Sequence, residues 1–286
     1  RRSLWAVFWP GMLRWQPPAA EAVCWTGKGC ANMSNTFQFL TYSGFRISTG
    51  AGYEILVDPF LDDNPDTQFQ STDFEKVDLI LATHGAYDHV GDTGKIACRT
   101  GAWVVCPDDV KALLLQQGVP AEQIFAVPWG MTVNFGKIRV KPVENHHRTV
   151  VQLPEGGFVT SQPLAFMLWL EDETCVYIAG DTAIFSDMKL QAELYHPQIG
   201  LINAVTEVAE KIPTPRRPFV ETGEMSPYEA ALCAKWMGLE MVLPCHHIDP
   251  DKNPQVMEFV AHAETLCPDT KIFVMRDGDQ CCFPND

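Results

Sequence analysis

Two histidines and a carboxylate follow one apolar run in the first third of the chain. Residues 79–82 are typical of a buried strand, and His84, Asp88 and His89 come directly after it. Loops at strand ends are where a rigid scaffold presents reactive groups. Imidazole nitrogens and a carboxylate oxygen are the donors that a catalytic zinc site combines with an open position for water. Taken alone, the segment also fits a polar turn with an incidental histidine.

The same kinds of side chain recur at the ends of other predicted strands. They are Asp58, His146 with His147, Asp181 and His246. Five strand ends that carry metal-binding residue types are far more specific than any one of them. Together they favour a metal site over a polar turn.

With these residues in place, the chain resembles the metallo-β-lactamase superfamily over roughly residues 37–275. Residues 83–92 match its His-x-His-x-Asp-His motif with one departure, His146 or His147 matches its third histidine, Asp181 its bridging aspartate and His246 its last histidine. Residues 179–188 further resemble the branch that includes ascorbate-phosphate lactonase. The resemblance implies an α/β fold, an αββα sandwich of two mixed β-sheets flanked by helices, with the site at one edge of the sheets.

The departure is Ala86, which stands where the family has its second histidine. The resemblance implies two metal sites that share Asp181: one has His84, position 86 and the third histidine, and the other has Asp88, His89 and His246. The first site is weakened and the second is complete, so we expect one tightly held Zn²⁺ per chain. Ala86 is either an engineered His→Ala substitution or the mark of a natural single-metal variant.

The expected catalytic positions are Ala86, Asp88 and His84. Zinc at such a site lowers the pKa of a bound water to about 7. A histidine at position 86 would serve as base, proton shuttle or ligand, whereas alanine serves as none of these, so we expect an impaired but folded enzyme. Asp58 is expected either to accept a hydrogen bond from a ligand histidine and fix its tautomer, or to cap a turn.

One domain, residues 37–286, is predicted after a Trp-rich extension, residues 1–36. Residues 37–47 are expected to form one strand and residues 148–163 a polar loop. Ser226, Pro227 and Glu229 have the capping-box pattern that begins a helix.

Composition limits the function classes. The 286 residues are 46% apolar and 20% charged, which indicates a globular protein, and the net charge of −15 argues against nucleic acid or an anionic membrane as partner. Ten cysteines without a C-x-x-C pair favour a reducing, cytoplasmic location. Arg1 and Arg2 before an apolar run leave export open, but that run is shorter than the about 20 residues that span a bilayer.

The chain as a whole is most similar to the chlorothalonil dehalogenases of this superfamily. That resemblance implies a hydrolytic dehalogenase that replaces a ring chlorine of a chlorinated aromatic nitrile with hydroxyl and releases chloride. Seven aromatic residues are candidates to line a pocket for a small apolar aromatic substrate: Trp103, Trp129, Trp169, Trp236, Phe158, Phe166 and Phe185. The Trp-rich start suggests a homodimer.

Two alternatives stay open. A metal-dependent lactonase or phosphoesterase would use Arg216 and Arg217 to bind a phosphate, although a solvated or subunit-contact role is favoured for them. A non-catalytic metal-binding protein that has lost the histidine at position 86 is the alternative from another class.

Overall fold

Two mixed β-sheets stack face to face at the centre of the computed structural model, which describes residues 34–206 and 223–283. Across the first sheet the strands are β16 (Gln280–Phe283), β1 (Asn35–Thr41), β2 (Gly44–Ser48), β3 (Glu54–Val57), β4 (Leu79–Leu81), β5 (Trp103–Cys106) and β6 (Ile124–Ala126). Across the second they are β15 (Lys271–Ile272), β14 (Met241–Cys245), β13 (Ile199–Asn203), β12 (Cys175–Ile178), β11 (Ala165–Trp169), β8 (Ile138–Val143) and β7 (Val133–Phe135). A separate hairpin pairs β9 (Thr149–Gln152) with β10 (Phe158–Ser161).

Helices cover both outer faces of the sandwich. They are α1 (Tyr87–Val90), α2 (Thr93–Thr100), α3 (Asp108–Gln116), α4 (Met188–Tyr195), α5 (Pro227–Met237) and α6 (Pro254–Leu266). Apolar side chains of α2 and α3 pack on the first sheet, and those of α4, α5 and α6 pack on the second. A third apolar layer lies between the sheets and includes Phe37 and Phe166, both fully buried. The expected αββα sandwich is confirmed.

The prediction of one strand over residues 37–47 was wrong, because the chain reverses between β1 and β2. Thr41 and Tyr42 have φ of 135° and 53°, so the turn is made by residues other than glycine. The backbone of Tyr42 forms a bridge with His247, and its carbonyl accepts the amide of His246. The two central residues of this turn, Tyr42 and Ser43, are not Gly, Pro or Asn. Long-range pairing therefore stabilises the turn, and it connects the turn to the strand end that carries His246.

The prediction of a polar loop over residues 148–163 was also wrong. β9 and β10 form a hairpin there, with Gly156 and Gly157 at positive φ in the turn. Thr149 and Val151 alternate inward along β9 and are buried, which is the period of a strand. Short strands with many polar residues give a weak sequence signal, and this one was missed.

Other expectations fare differently. The helix start at Ser226 is confirmed, since Ser226 and Glu229 form both hydrogen bonds of a capping box. The first strand begins at Asn35, inside the stretch assigned to the extension, and residues 1–33 lie outside the described residues, as do Arg216 and Arg217.

Among the residues described here, no helix is both long and apolar enough to cross a bilayer. The cysteines in these ranges are all free thiols.

A glycine and a carboxylate fix the helix that carries Asp88 and His89. Gly91 ends α1 at φ 36° and ψ −120°, and a Cβ there would lie 2.3 Å from the Pro59 carbonyl oxygen. The next residue, Asp92, donates its amide to that same oxygen at 2.8 Å. Its carboxylate accepts the amide of Leu61 at 2.9 Å. The Gly-Asp pair therefore attaches α1 to the loop that follows β3.

We expect Gly91→Ala to lower the free energy of unfolding by about 3 kcal/mol, because the new methyl meets backbone as well as a strained φ. Gly52→Ala is the matched control: it also has positive φ, 87°, but no atom lies within 4 Å of its Cβ position. The control should lose only about 1 kcal/mol. Urea unfolding of both variants measures the difference, and equal losses would contradict the close approach of Gly91 to Pro59.

Candidate metal centre

The predicted site residues meet at one edge of the sandwich, where neighbouring strands end. Asp58 follows β3 and His84 follows β4 in the first sheet. Asp181 follows β12 and His246 follows β14 in the second sheet. These strands run parallel within each sheet, so their carboxyl ends lie side by side. The two sheets therefore supply the two halves of one cluster.

Asp181 lies at the centre of this cluster. Its Oδ1 is 3.2 Å from His89 Nε2, and its Oδ2 is 3.5 Å from His246 Nε2. The Nε2 atoms of His84 and His147 lie 3.8 and 4.0 Å from the same Oδ2. One buried carboxylate is thus surrounded by four imidazoles.

Two groups of potential donors can be separated within the cluster. The donor atoms of His84, His147 and Asp181 lie within 4.8 Å of one another, and so do those of Asp88, His89 and His246. These are the two sets that the family resemblance implied. With alanine at position 86, the first set has one side-chain donor fewer than the family's pattern.

Asp58 holds His89 from behind. Its Oδ2 lies 2.7 Å from His89 Nδ1, so Nε2 faces Asp181. The same carboxylate accepts the amide of Thr83 at 2.8 Å and the Thr83 hydroxyl at 2.6 Å. A carboxylate that receives the outer nitrogen of a ligand histidine fixes the tautomer and raises the basicity of the inner nitrogen. The structure places Asp58 in the orienting position proposed from the sequence.

His246 is oriented by a backbone carbonyl in the same way. Its Nδ1 lies 3.0 Å from the Val205 oxygen, which leaves Nε2 facing Asp181. The residue has φ of 69°, in the left-handed region that few non-glycine residues adopt. Backbone pairing with Tyr42 supports this unusual conformation.

Electrostatics at the centre follow from burial and charge. Burial opposes ionisation of Asp181, but His246 and His89 outweigh it and hold the pKa of Asp181 well below its usual range. Burial, together with the nearby His89, lowers the pKa of His84 well below its usual range. For His89, burial works against the charged form, yet Asp181 and Asp58 raise its pKa well above the usual range.

A divalent metal fits this set of donors. The Nε2 atoms of His84 and His89 are buried and have no hydrogen-bond partner within the described chain. Buried polar atoms are normally paired, so two unpaired imidazole nitrogens that face one carboxylate call for a cation. Nitrogen and carboxylate oxygen are the donors that zinc and similar ions accept.

The structure places His147, rather than His146, in the cluster. The His146 side chain is 46% exposed, its Nε2 lies 2.9 Å from Glu144 Oε1, and its ring stacks on Phe185. The expectation that His146 might be a ligand is therefore corrected. The cause lies in the backbone: the His146 amide donates to Thr182 Oγ1 and its carbonyl accepts from Ala183, which sets the following side chain inward.

Position 86 is the N-cap residue of α1. Ala86 is half-buried, and its carbonyl accepts the amides of His89 and Val90, which begins the helix. The segment that carries the histidine motif, residues 83–92, is called the motif loop below. Its backbone hydrogen bonds are formed without a side-chain donor at position 86. This agrees with the expectation of a folded chain.

Two polar residues of the site were missed in the sequence. Glu224 is 7% exposed, and its carboxylate lies within 4.8 Å of the donor atoms of Asp181 and His246. Asn203 is buried and donates its side-chain amide to Asp181 Oδ1. Asn203 is a polar residue at the end of an apolar strand, which is a usable signal. Glu224 sits in a loop with another glutamate nearby, so its sequence gives no such signal.

Most of the aromatic residues proposed to line a pocket lie elsewhere. Trp103 stacks on Phe125 in the core, and Phe166 is fully buried between the sheets. Phe185 stacks on the ring of His146, which lies outside the cluster. Tyr87, between Ala86 and Asp88, is 74% exposed and packs edge-on against Phe60. The rings that remain as candidates for contact with an aromatic substrate are Tyr87 and Phe60, beside Ala86 and Asp88.

Comparison with known proteins agrees with this geometry. Residues 53–247 match the family described as the Beta-lactamase superfamily domain. The chain belongs to the metallo-β-lactamase superfamily. It is 33% identical over 244 residues to a UPF0173 metal-dependent hydrolase of Rubrobacter xylanophilus, which covers 85% of this chain and 94% of that relative. Within the superfamily it therefore belongs to the UPF0173 metal-dependent hydrolase family.

Solved structures show the same fold at low identity. The metallo hydrolase Igni18 from Ignicoccus hospitalis has a TM-score of 0.68 and 23% identity, covering 89% of this chain and all of that one. An isothiocyanate hydrolase from Delia radicum gut bacteria has a TM-score of 0.63 and 15% identity, covering 87% of this chain and all of that one. These two likenesses concern the fold alone.

We expect Asp58→Asn to weaken metal binding by about 10- to 100-fold, because the orienting partner of His89 is lost. Competition with a chromophoric chelator measures the dissociation constant. Asp78→Asn is the control, since Asp78 accepts the Glu54 amide away from the site. Unchanged affinity in Asp58→Asn would contradict the orienting role of Asp58.

We expect His147→Ala to reduce the number or the affinity of bound metal ions, because it removes a donor that lies 4.0 Å from Asp181. His146→Ala removes an imidazole next to it in sequence that faces Glu144 instead. The second variant should bind metal like the parent protein. Elemental analysis with chelator competition tests both, and a larger loss in His146→Ala would reverse the assignment.

Proposed function

We propose that this metal-dependent hydrolase acts on a small, uncharged, electron-poor carbon electrophile, and specifically replaces a ring chlorine of a chlorinated aromatic nitrile with hydroxyl. The observation that carries the proposal is the charge of the site. Its donors are imidazoles and carboxylates, and among the described residues no Lys or Arg forms an ion pair with Asp88 or Asp181. We propose Zn²⁺ as the metal, one ion per chain.

The ion pairs of the described residues bear on the substrate class, since none of them brings a Lys or Arg to Asp88 or Asp181. Phosphate and carboxylate groups are recognised by Arg and Lys through charge-assisted hydrogen bonds. In the described ranges, the lysines and arginines that form an ion pair do so with acids outside the metal-binding set, as Arg276 does with Asp251. The net charge of −15 further disfavours an anionic substrate. A neutral substrate meets no such obstacle.

Two aromatic rings beside the motif loop, those of Tyr87 and Phe60, support the proposal of an aromatic substrate. Tyr87 presents an exposed ring one residue from Ala86 and one from Asp88. Phe60 supports this ring from the side at a centroid distance of 5.5 Å. An electron-poor ring stacks favourably on an electron-rich phenol face. Substrate held there would lie next to the motif loop.

The chain's own residues would divide the chemical work. A divalent metal in the centre supplies Lewis acidity and an acidified water. Asp58 keeps His89 in one tautomer, and Asn203 holds Asp181 Oδ1. In the proposed reaction a water oxygen would bond to the ring carbon as the carbon–chlorine bond breaks, and chloride would leave with the electron pair. Asp88, whose side chain is 15% exposed, would take the released proton to solvent.

The test is chloride release from a chlorinated aromatic dinitrile by the Zn²⁺-loaded protein, with Ala86→His measured beside it. We expect release by the histidine variant and much slower release by the present chain, because alanine neither moves a proton nor binds metal. Chelator-treated samples of both proteins are the control and should release none.

A contrary result is equally clear. If both proteins hold zinc and neither releases chloride, the dehalogenase proposal is wrong. Lactones, phosphodiesters and isothiocyanates then form the next substrate panel. Hydrolysis of a lactone or phosphodiester would favour the lactonase or phosphoesterase alternative, and no turnover at all would favour a metal-binding protein without catalysis.

A further inference from the structure

The backbone of the motif loop is held by a hairpin outside the two main sheets. The Gly85 amide donates to the Thr149 hydroxyl at 2.8 Å. A Cβ on Gly85 would lie 2.9 Å from Val151 Cγ2, so the hairpin packs directly on the loop backbone. Gly85 lies between His84 and Ala86. The position of its backbone therefore affects the orientation of the His84 side chain and of α1.

A buried carboxylate fixes the hydroxyl that receives this amide. Asp109, in the first turn of α3, is fully buried. Its Oδ2 accepts the Thr149 hydroxyl at 2.5 Å, and its Oδ1 accepts the Ser161 hydroxyl at 2.7 Å. Because the Thr149 hydroxyl donates its one proton to Asp109, its lone pairs are left for the Gly85 amide. The chain of donors runs from Gly85 through Thr149 to Asp109.

Capping of a helix does not explain Asp109. The carboxylate oxygens bond to one hydroxyl of β9 and one of β10, rather than to amides of α3. A two-stranded hairpin is marginally stable by itself. Asp109 therefore links both strands of the hairpin to the first-sheet side of the sandwich, and Thr149 passes this link on to the motif loop.

Hydrogen bonds thus hold the backbone of the motif loop on both sides of His84. Asp58 accepts the Thr83 amide at 2.8 Å, and Thr149 accepts the Gly85 amide at the same distance. His84, between them, has a side chain with no hydrogen bond at Nε2. Anchoring of the flanking amides gives this imidazole its direction toward Asp181.

We propose that Thr149 and Asp109 are positioning residues of the metal centre, which hold the backbone from His84 to His89 in its metal-binding form. They act through the Gly85 amide and do not contact the donor atoms of the cluster. The proposal rests on metal binding and is independent of the substrate class proposed above.

The experiment compares Thr149→Val with Thr149→Ser. Valine keeps the shape of threonine and removes the hydroxyl, whereas serine keeps the hydroxyl. Zn²⁺ alone is titrated into chelator-stripped full-length protein against a chromophoric competitor, and thermal unfolding of the metal-free protein is followed in parallel. Thr149→Val should bind Zn²⁺ about tenfold more weakly, as expected for a residue that orients ligands without touching metal. Thr149→Ser should restore binding.

The control is Thr160→Val, on the opposite strand of the same hairpin. Thr160 donates its hydroxyl to the Thr149 carbonyl, and within the described chain it forms no hydrogen bond to Gly85 or Asp109. It should bind Zn²⁺ like the parent protein, even where its unfolding temperature falls. If Thr149→Val does not fold, Asp109→Asn carries the same test, because its amide turns a donor toward one of the two hydroxyls.

Two results would overturn the proposal. Parent-like zinc affinity in Thr149→Val would remove the positioning role. Equal losses of affinity in Thr149→Val and Thr160→Val would reduce the hairpin to a general contribution to stability. Neither result depends on chloride release, so failure here is distinct from failure of the dehalogenase proposal.

Discussion

A single buried carboxylate organises this end of the molecule. Asp181 has lost nearly all contact with water, and four imidazoles point toward it. Burial of an ionised carboxylate is costly unless cationic or hydrogen-bonding groups surround it. The histidines and Asn203 meet this requirement only because strand ends from both sheets converge here. The strand order, the turns and the interstrand register all serve that convergence.

A second layer of polar residues keeps the imidazoles facing Asp181. Asp58 receives the outer nitrogen of His89, and the Val205 carbonyl receives that of His246. Without these partners each ring would have two usable tautomers and a wider range of orientations. The unusual positive φ of Asp58 and His246 belongs to the same arrangement, since extended backbone would place their side chains elsewhere.

The sequence predicted the fold and most of the cluster because both depend on short-range patterns. An apolar run that ends in His84, Asp88 and His89 identifies a strand and the loop after it. The choice between His146 and His147 could not be made in this way. Beyond the end of β8 the strand alternation stops, and the inward residue is decided by pairing of His146 with Thr182 and Ala183.

The residues missed from the sequence depend on contacts between distant segments. Thr149 lies 64 residues from Gly85, and nothing in the polar stretch around it identifies that contact. In the sequence nothing distinguishes Glu224 from the acidic residues near it, and only the fold brings it beside Asp181. The number of aromatic residues predicted an aromatic pocket, but most of these rings pack in the core or along helix faces.

The division of the cluster between two sheets has a mechanical consequence. His84, Asp88 and His89 belong to one half of the sandwich, and His147, Asp181 and His246 belong to the other. An ion that both halves bind acts as a reversible cross-link across the interface between the sheets. At a free concentration of 100 times the dissociation constant, such an ion stabilises the folded state by about 2.7 kcal/mol. Metal supply would then set the fraction of chains that are folded as well as the fraction that hold metal.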